Sequence, residues 1–497
     1  MATSYDPVLV KHVAVKQGAI TTLAALGAYD KFVVCDPQRA SFPAQSFARH
    51  TNFSVAFQLR GIPNAPLGSQ FWERGRTVQF SFDKTERSAD LIGPTFLHCH
   101  WNRIAAAAPL VSSTDLIAYV NELGNAVVDT ATFLVGNTPV ESHTSEALHC
   151  MSEFGVRGAG LNEASMLGKF STTLSPIDDP TTLPVTTRAW STANRHTYTP
   201  LNFHFCHEKE EYFPLVAVQY QDPVIELSLR GKLDLIRAVT AASPNVIIQD
   251  SLVQSRFEAG DYVGGDLLAM DIGYTGIYLD TDERRTRAQN PHSYVFQYVN
   301  CKEKYRVQQN DKKLEVKLNY ENATSSYWWF YRRDSITRPT TANGAVKDYF
   351  DFSTRQPFNS IPPNVGGVAE VYTPLNPFAV STIYVNNNVR VTGDGVFFNQ
   401  VNPYIARTNR LPSEPSFVNS FNFGTNAAQW NHDNGSQNDS KIDNLVFEFT
   451  FENSDANGAG VATNNGLAET GTVYVYANKF SVAKISGGQF GLAFTTI

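Results

Sequence analysis

The chain has 497 residues, more than a single core usually fills, so at least two domains are expected. Hydrophobic residues make up 42% and charged residues only 18%, which supplies large cores and a surface suited to burial against copies or partners. A net charge of −7 excludes a general nucleic-acid binder, whose balance would be basic.

The five cysteines, Cys35, Cys99, Cys150, Cys206 and Cys301, are odd in number and far apart. They do not form a disulfide framework, and a reducing compartment is expected. No run approaches the ~18 apolar residues of a membrane span. The segment Ala19 to Tyr29 lacks the basic start and solid apolar stretch of a signal peptide. A soluble protein made in the cytosol is the expectation.

Met1 to Val10 reads as an arm. From Val15 to Leu26 the spacing of Val15, Ala19, Leu23 and Leu26 predicts a short amphipathic helix, with Gly27 as its C-terminal cap. After it the pattern is β nearly throughout. Thr51–Leu59 and Thr77–Phe82 alternate, Leu116–Leu123 suits a helical turn, and Val128–Val135 is a strand that turns at Gly136–Asn137. Thr144 should cap a helix over Thr144–Phe154. Gly155–Thr199 is loop-like, Leu215–Leu229 is β-forming with a break at Asp222–Pro223, and Gly231–Tyr262 is a candidate connection between domains.

The stretch Asp271–Asn300 is expected to carry the chain from one half to the other. Ile272 to Leu279 is apolar on both faces, as in a strand covered on both sides. Asp280 fits an N-cap with Glu283 in the capping-box position, Pro291 stops the helix by Asn290, and Tyr294–Val299 restarts β-structure. Beyond it, Lys313–Tyr320 and Tyr327–Tyr331 are strands. Arg332–Asn376 and Asn422–Ser440 are loops, and Ile442–Phe451 and Thr472–Ile485 are the last strands. Val380–Val391 is a hairpin around Asn386, Asn387 and Asn388. It shares the plan of Thr130–Ser142, 250 residues earlier. In each half a strong strand then closes the domain, at Val224–Leu229 and Thr472–Ile485. Two copies of one β-architecture, a sandwich or jelly roll, are expected.

Histidine carries the sharpest enzyme-like signal, at His98-Cys99-His100, His149-Cys150, and His204, Cys206 and His207 with Glu208. Such sets can bind zinc or iron, and an HxH strand in a jelly roll resembles cupin metalloenzymes. A cupin needs a Glu three or four residues after the second His, and Trp101 to Ala105 holds none. The bland reading, polar residues satisfied within β-structure, is preferred. No GxSxG, Walker or Rossmann motif occurs. The charged run Asp282–Arg287 reads as a helix with its own ion pairs or an inter-subunit contact. Tyr327 to Tyr331 could offer sugars a platform, but consecutive aromatics face both sides of a strand, so core plus subunit interface is preferred. Sequons at Asn52, Asn322, Asn434 and Asn438 have no weight by themselves.

Leu23–Asp30 (LAALGAYD), Asp36–Gln38, Phe47–Phe53 (FARHTNF), Pro214–Tyr220 (PLVAVQY) and Tyr278–Arg284 (YLDTDER), running on to Pro291–Tyr294, form an ordered series. Ser440–Asn444 (SKIDN) and Val475–Ala493, with its SGGQFGLA ending, complete it. In this order they resemble the double jelly-roll major capsid proteins of nucleocytoplasmic large DNA viruses of the algal and amoebal giant-virus type. The resemblance implies an all-β fold of two tandem eight-stranded antiparallel jelly rolls with short helices and long loops. The boundaries expected are an N-terminal arm and short helix at 1–28, a first jelly roll at 29–238, a linker at 239–262 and a second jelly roll at 263–497.

The resemblance further implies a structural protein and not an enzyme, with no catalytic, cofactor-binding or metal-binding residues to carry over and no cofactor. Its implied partners are itself, as a homotrimeric pseudo-hexagonal capsomer and then neighbouring capsomers in an icosahedral shell, with minor capsid, penton and inner membrane-associated viral proteins. Direct nucleic-acid contact is not among them. Its implied location is the virion capsid, assembled in the host cytoplasm. The rivals are a cupin-like metal-dependent enzyme and a glycan-binding jelly-roll lectin.

Overall fold

The computed structural model describes residues 51–493 except 69–70, 72–75, 83–88, 107–114, 156–162, 170–194, 243–244, 249–256, 261, 319–321, 335–346, 348, 354–375, 413–415, 428–433, 452, 455–461, 464–466 and 468. The expected arm and helix at 1–28, and Cys35, lie outside the described residues.

Among the described residues, sixteen strands carry the repeated architecture. The first eight are β1 (Phe53–Gly61), β2 (Arg76–Ser81), β3 (Leu91–Trp101), β4 (Val128–Val135), β5 (Thr138–Thr144), β6 (Arg195–Pro200), β7 (Pro223–Leu229) and β8 (Leu267–Leu279). They form two four-stranded antiparallel sheets, β1–β8–β3–β6 and β2–β7–β4–β5. The second eight are β9 (His292–Val307), β10 (Lys313–Lys317), β11 (Ala323–Arg333), β12 (Phe378–Val385), β13 (Asn388–Asp394), β14 (Asn419–Asn422), β15 (Leu445–Phe451) and β16 (Gly471–Ser486). Their sheets are β9–β16–β11–β14 and β10–β15–β12–β13. Adding eight to each strand number of the first half gives the order of the second. Two eight-stranded jelly rolls in tandem are therefore the fold.

The repeat reaches single residues. Thr130 pairs with Thr144 in one hairpin, and Val380 pairs with Asp394 in the other, each 250 residues on. The ladder slips between Phe133 and Leu134 in one and between Ile383 and Tyr384 in the other. The turns hold Gly136 and Asn137 (φ 57° and 65°) and Asn386 and Asn387 (φ 50° and 64°). Positive φ at both central residues matches the right-handed twist of a two-residue hairpin, which is why glycine and asparagine fill these places. After each hairpin comes a helical segment with the same cap. Thr144 Oγ1 accepts from Ala147 N (3.3 Å) and Asp394 Oδ1 from Phe397 N (2.7 Å). The helix capped by Thr144 is α1 (Ser145–Glu153); its counterpart runs over Phe397–Val401 and Asn402–Ile405.

The passage between halves is β8, then α2 (Thr281–Gln289), then β9. Asp280 caps α2 through its own Oδ1, which accepts from Thr281 N at 2.7 Å. Glu283 is ion-paired with Arg287, four residues on, at 3.6 Å. Arg284 Nε reaches the buried Asp90 Oδ1 at 2.8 Å, so the charged run is a helix with its own ion pairs and one tie to the first half.

Several boundaries move. β8 lies between β1 and β3, so the first half extends to Leu279 and closes on β8, not on Val224–Leu229. The linker expected at 239–262 is not one: Ile236–Ala242 pairs with Asp115–Tyr119 and with Asn245–Ile248, and Tyr262–Gly264 pairs with Ile104–Ala106. These pairings make Leu116–Tyr119 strand instead of helical turn; the turn comes later, at Leu123–Ala126. Local pattern could not show the pairings with Asp115–Tyr119 and Ile104–Ala106, because those partners lie more than a hundred residues away.

The cores follow from alternation. β7 and β15 each bury every second residue, Ile225 and Leu227 in one and Phe447 and Phe449 in the other. The second core gathers Trp329, Tyr331, Ile383, Phe447 and Val475. The first core gathers Leu97, Phe133 and Ile272, and it continues without a break into Phe296, Trp328, Phe330 and Tyr476 of the second half.

Candidate assembly surfaces

β11 is the strand on which the two halves meet. Tyr327, Trp329 and Tyr331 point into the second core, and Trp328 and Phe330 point the other way, towards the first half. All five are buried, so no sugar platform exists there. The expected division into core and interface holds, but the interface is with the first jelly roll of the same chain. Phe154, at the end of α1, packs on Trp328 with ring centroids 5.2 Å apart. Phe330 stacks on Phe352 at 4.0 Å, and Phe350 stacks on His149 of α1 at 4.6 Å.

A buried ion pair crosses this joint. Arg332 of β11 is ion-paired with Glu146 of α1, and Arg230 approaches Glu146 at 3.9 Å and Asp129 at 3.2 Å. Burial alone would raise the Glu146 carboxyl, but Arg332 and Arg230 outweigh it and hold the group below its ordinary value. His149 reaches Glu122 through Nδ1 (2.9 Å) and Ser416 through Nε2 (2.9 Å), so one imidazole ties α1 to both halves. Tyr476 OH meets Thr144 Oγ1 at 2.7 Å. Glu141 lies between His143 (3.1 Å) and His204 (3.2 Å), and it also accepts the His204 backbone N–H at 2.7 Å. Burial works against the Glu141 carboxylate, but these partners hold it well below the usual range.

The three histidine sets are not brought together. Cys99 faces the first core while His98 and His100 face outward. His98 Nδ1 donates to Asp271 Oδ2 at 2.9 Å, and His98 Nε2 shares one proton with His196 Nδ1 at 2.9 Å. His196 stacks on His100 at 4.1 Å. His204 packs on Phe296 at 4.3 Å, and Cys206 Sγ lies 3.3 Å from Thr95 Oγ1. Among the described residues no group of three His, Cys, Asp or Glu side chains is arranged to hold a metal ion. His196, which completes the outward histidine row, is not singled out by sequence because it lies 96 residues from His100.

The outward face of the sheet β1–β8–β3–β6 is apolar along β1. Phe53, Val55, Phe57 and Leu59 are each about half exposed, and Phe57 rests on Phe96 at 5.5 Å. The corresponding face of β9–β16–β11–β14 carries the buried Phe296, Trp328, Phe330, Tyr474 and Tyr476. A row of four large apolar side chains on an edge strand marks an association surface.

Comparison with known proteins agrees with this geometry. Residues 42–263 match the family described as "Major capsid protein N-terminus", and residues 283–491 match "Large eukaryotic DNA virus major capsid protein". The interval between the two matches holds β8 and the start of α2. The major capsid protein of Phaeocystis pouchetii virus is 23% identical over 96% of this chain and 99% of its own length. A probable capsid protein of Acanthamoeba polyphaga mimivirus is 21% identical over 97% of this chain and 99% of its own. In fold, the chain is similar to the PBCV-1 virus capsid protein (TM-score 0.63, 18% identity, 91% of this chain and 99% of that one). It is likewise similar to the Faustovirus major capsid protein (TM-score 0.63, 10% identity, 96% of this chain and all of that one). With one family match over most of the first jelly roll and the other over most of the second, the chain belongs to the major capsid proteins of large eukaryotic DNA viruses.

Proposed function

We propose that this capsid protein assembles as a homotrimer whose six jelly rolls form a pseudo-hexagonal capsomer, and that these capsomers tile an icosahedral shell. One observation carries the reading. The two jelly rolls share a topology, yet the outward face of the second roll's sheet is covered within the chain while the same face of the first is apolar and exposed. Covering it with another copy by the same kind of contact places rolls around a ring in pairs, and three copies supply six. Such a head-to-tail contact closes when its rotation permits and otherwise runs on as a filament.

The low charge fraction of 18% supports a protein with several faces in contact. Its role is structural, without catalysis, cofactor or metal, and without direct contact to nucleic acid. Minor capsid, penton and inner membrane-associated viral proteins are its further partners, and the host cytoplasm its place of assembly. Light scattering on the purified protein should give about three times the 55.0 kDa chain mass on dilution. A persistent monomer would overturn the reading, and stoichiometric zinc or iron after mild chelation would favour the metalloenzyme instead.

A further inference from the structure

We infer that the contact between copies repeats the joint within the chain, with the helical segment Phe397–Ile405 of one copy seated on the outward face of β1–β8–β3–β6 of the next. This rests on the trimer reading and adds which residues meet.

Within the chain, the joint is built by the helix that follows the β4–β5 hairpin against the outward face of the second roll's sheet. The second half repeats that helix after its own hairpin, with the cap 250 residues on. Every residue of α1 is buried. Its counterpart is open: Val396, Val401, Tyr404 and Ile405 are exposed, Tyr404 to 74%. Tyr404 and Ile405 end that segment, as Phe154 ends α1.

The receiving faces correspond as well. β3 and β11 are both eleven residues long. Counted from the first residue, Phe96, His98 and His100 of β3 stand where Trp328, Phe330 and Arg332 stand in β11. Phe154 packs on Trp328, so the end of the second helix comes onto Phe96 and its neighbour Phe57. One chain thus carries an apolar helix end and an apolar sheet face, each lacking the cover its counterpart has. A head-to-tail contact leaves this pair of surfaces when a copy stands alone.

The two contacts are not interchangeable. Within the chain Arg332 meets Glu146, whereas between copies His100 takes the place of Arg332 and Val396 that of Glu146. The apolar side chain at 396 leaves no carboxylate for β3 to attract. A foreign α1 would bring Glu146 to a face without its arginine, and a buried unpaired charge disfavours that docking.

The test is cross-linking with a short bismaleimide, using the full chain carrying Phe96→Cys with Tyr404→Cys. A second pair, Tyr198→Cys with Tyr404→Cys, guards against loss of fold at Phe96. Each single variant and the unmodified chain serve as controls for the native cysteines. The expected result is a covalent ladder of two and three chains that stops at three, and two-chain products when the separate single variants are mixed. Trimers by light scattering that show no added cross-links with either pair would overturn the pairing while leaving the trimer reading intact. Cross-links confined within one chain would overturn it too. A monomer by light scattering would instead remove the trimer reading on which it rests. Trimers that keep the face closed to maleimide at Phe96→Cys even after removal of the Tyr404 and Ile405 side chains would show that something other than this segment covers it, which also defeats the proposal.

Discussion

Trp328 and Trp329 are neighbours in β11 and are buried in different places, Trp329 against Phe398 and Phe447 in the second core and Trp328 against Phe154 at the joint. Period-two alternation divides them, because both faces of this strand are covered. Their loss should therefore differ in kind. Trp329→Ala opens the second roll itself and should cost about 3–5 kcal/mol with broadened thermal unfolding of that roll. Trp328→Ala should leave each roll folded but loosen one against the other. The check is limited proteolysis: faster cleavage between the halves, giving two stable fragments, is expected for Trp328→Ala alone. Identical patterns for both would contradict the assignment.

Glu211 lies under the joint, where burial, and after it the charges of Glu208 and Glu141, push its carboxyl up to about 8. A group raised in the folded state from its ordinary value of 4.5 stabilises fully below that value, and the contribution is lost as pH rises through about 8. Glu211→Gln should raise the melting temperature at about pH 9 and change it little at about pH 5. An equal shift at both would mean that the side chain acts by packing alone.

The outward histidine row should respond in the opposite sense. Burial, then His100 and His98, hold His196 below its ordinary value of 6.5. The folded state favours the neutral ring, so this contribution is complete above 6.5 and fades as pH falls through the lowered value. A second proton on the His98–His196 pair would also set N–H against N–H. His196→Gln should shrink the fall in melting temperature between about pH 7.5 and about pH 5. An unchanged fall would place the acid sensitivity elsewhere.

Gly435 is exposed in the loop before β15, and Ile383 is fully buried in β12. A short epitope inserted after Gly435 should leave trimers intact and be reached by antibody on whole particles. The same insertion after Ile383 shifts the remaining strand by its length, breaks the ladder to Phe447 and should abolish soluble protein. The reverse outcome would invert wall and loop.

The repeat was legible where local chemistry repeats. The hairpins at Thr130–Ser142 and Val380–Val391, the Thr144 and Asp280 caps and the stop before Pro291 rest on contacts a few residues apart. What sequence could not show rests on distant pairing. Strand β8 looks like the start of the second half until its pairing with Phe53–Gly61 is known, and Ile236–Ala242 looks like a linker until it meets Asp115–Tyr119. The aromatic run at Tyr327–Tyr331 announces a two-sided strand but not what lies on its second side. The bridging role of His149 is invisible because Glu122 and Ser416 come from opposite directions along the chain.

In both jelly rolls the strand that lies between the first and third is the last of the eight: β8 joins β1 to β3, and β16 joins β9 to β11. During synthesis the edges of β1 and β3 stay unpaired on this side until residues 267–279 have left the ribosome, and those of β9 and β11 until residues 471–486 have. Such late, long-range closure folds slowly and exposes strand edges meanwhile. A chain cut short before Gly471 has no strand to join β9 to β11, so it cannot complete the sheet on which its own halves meet.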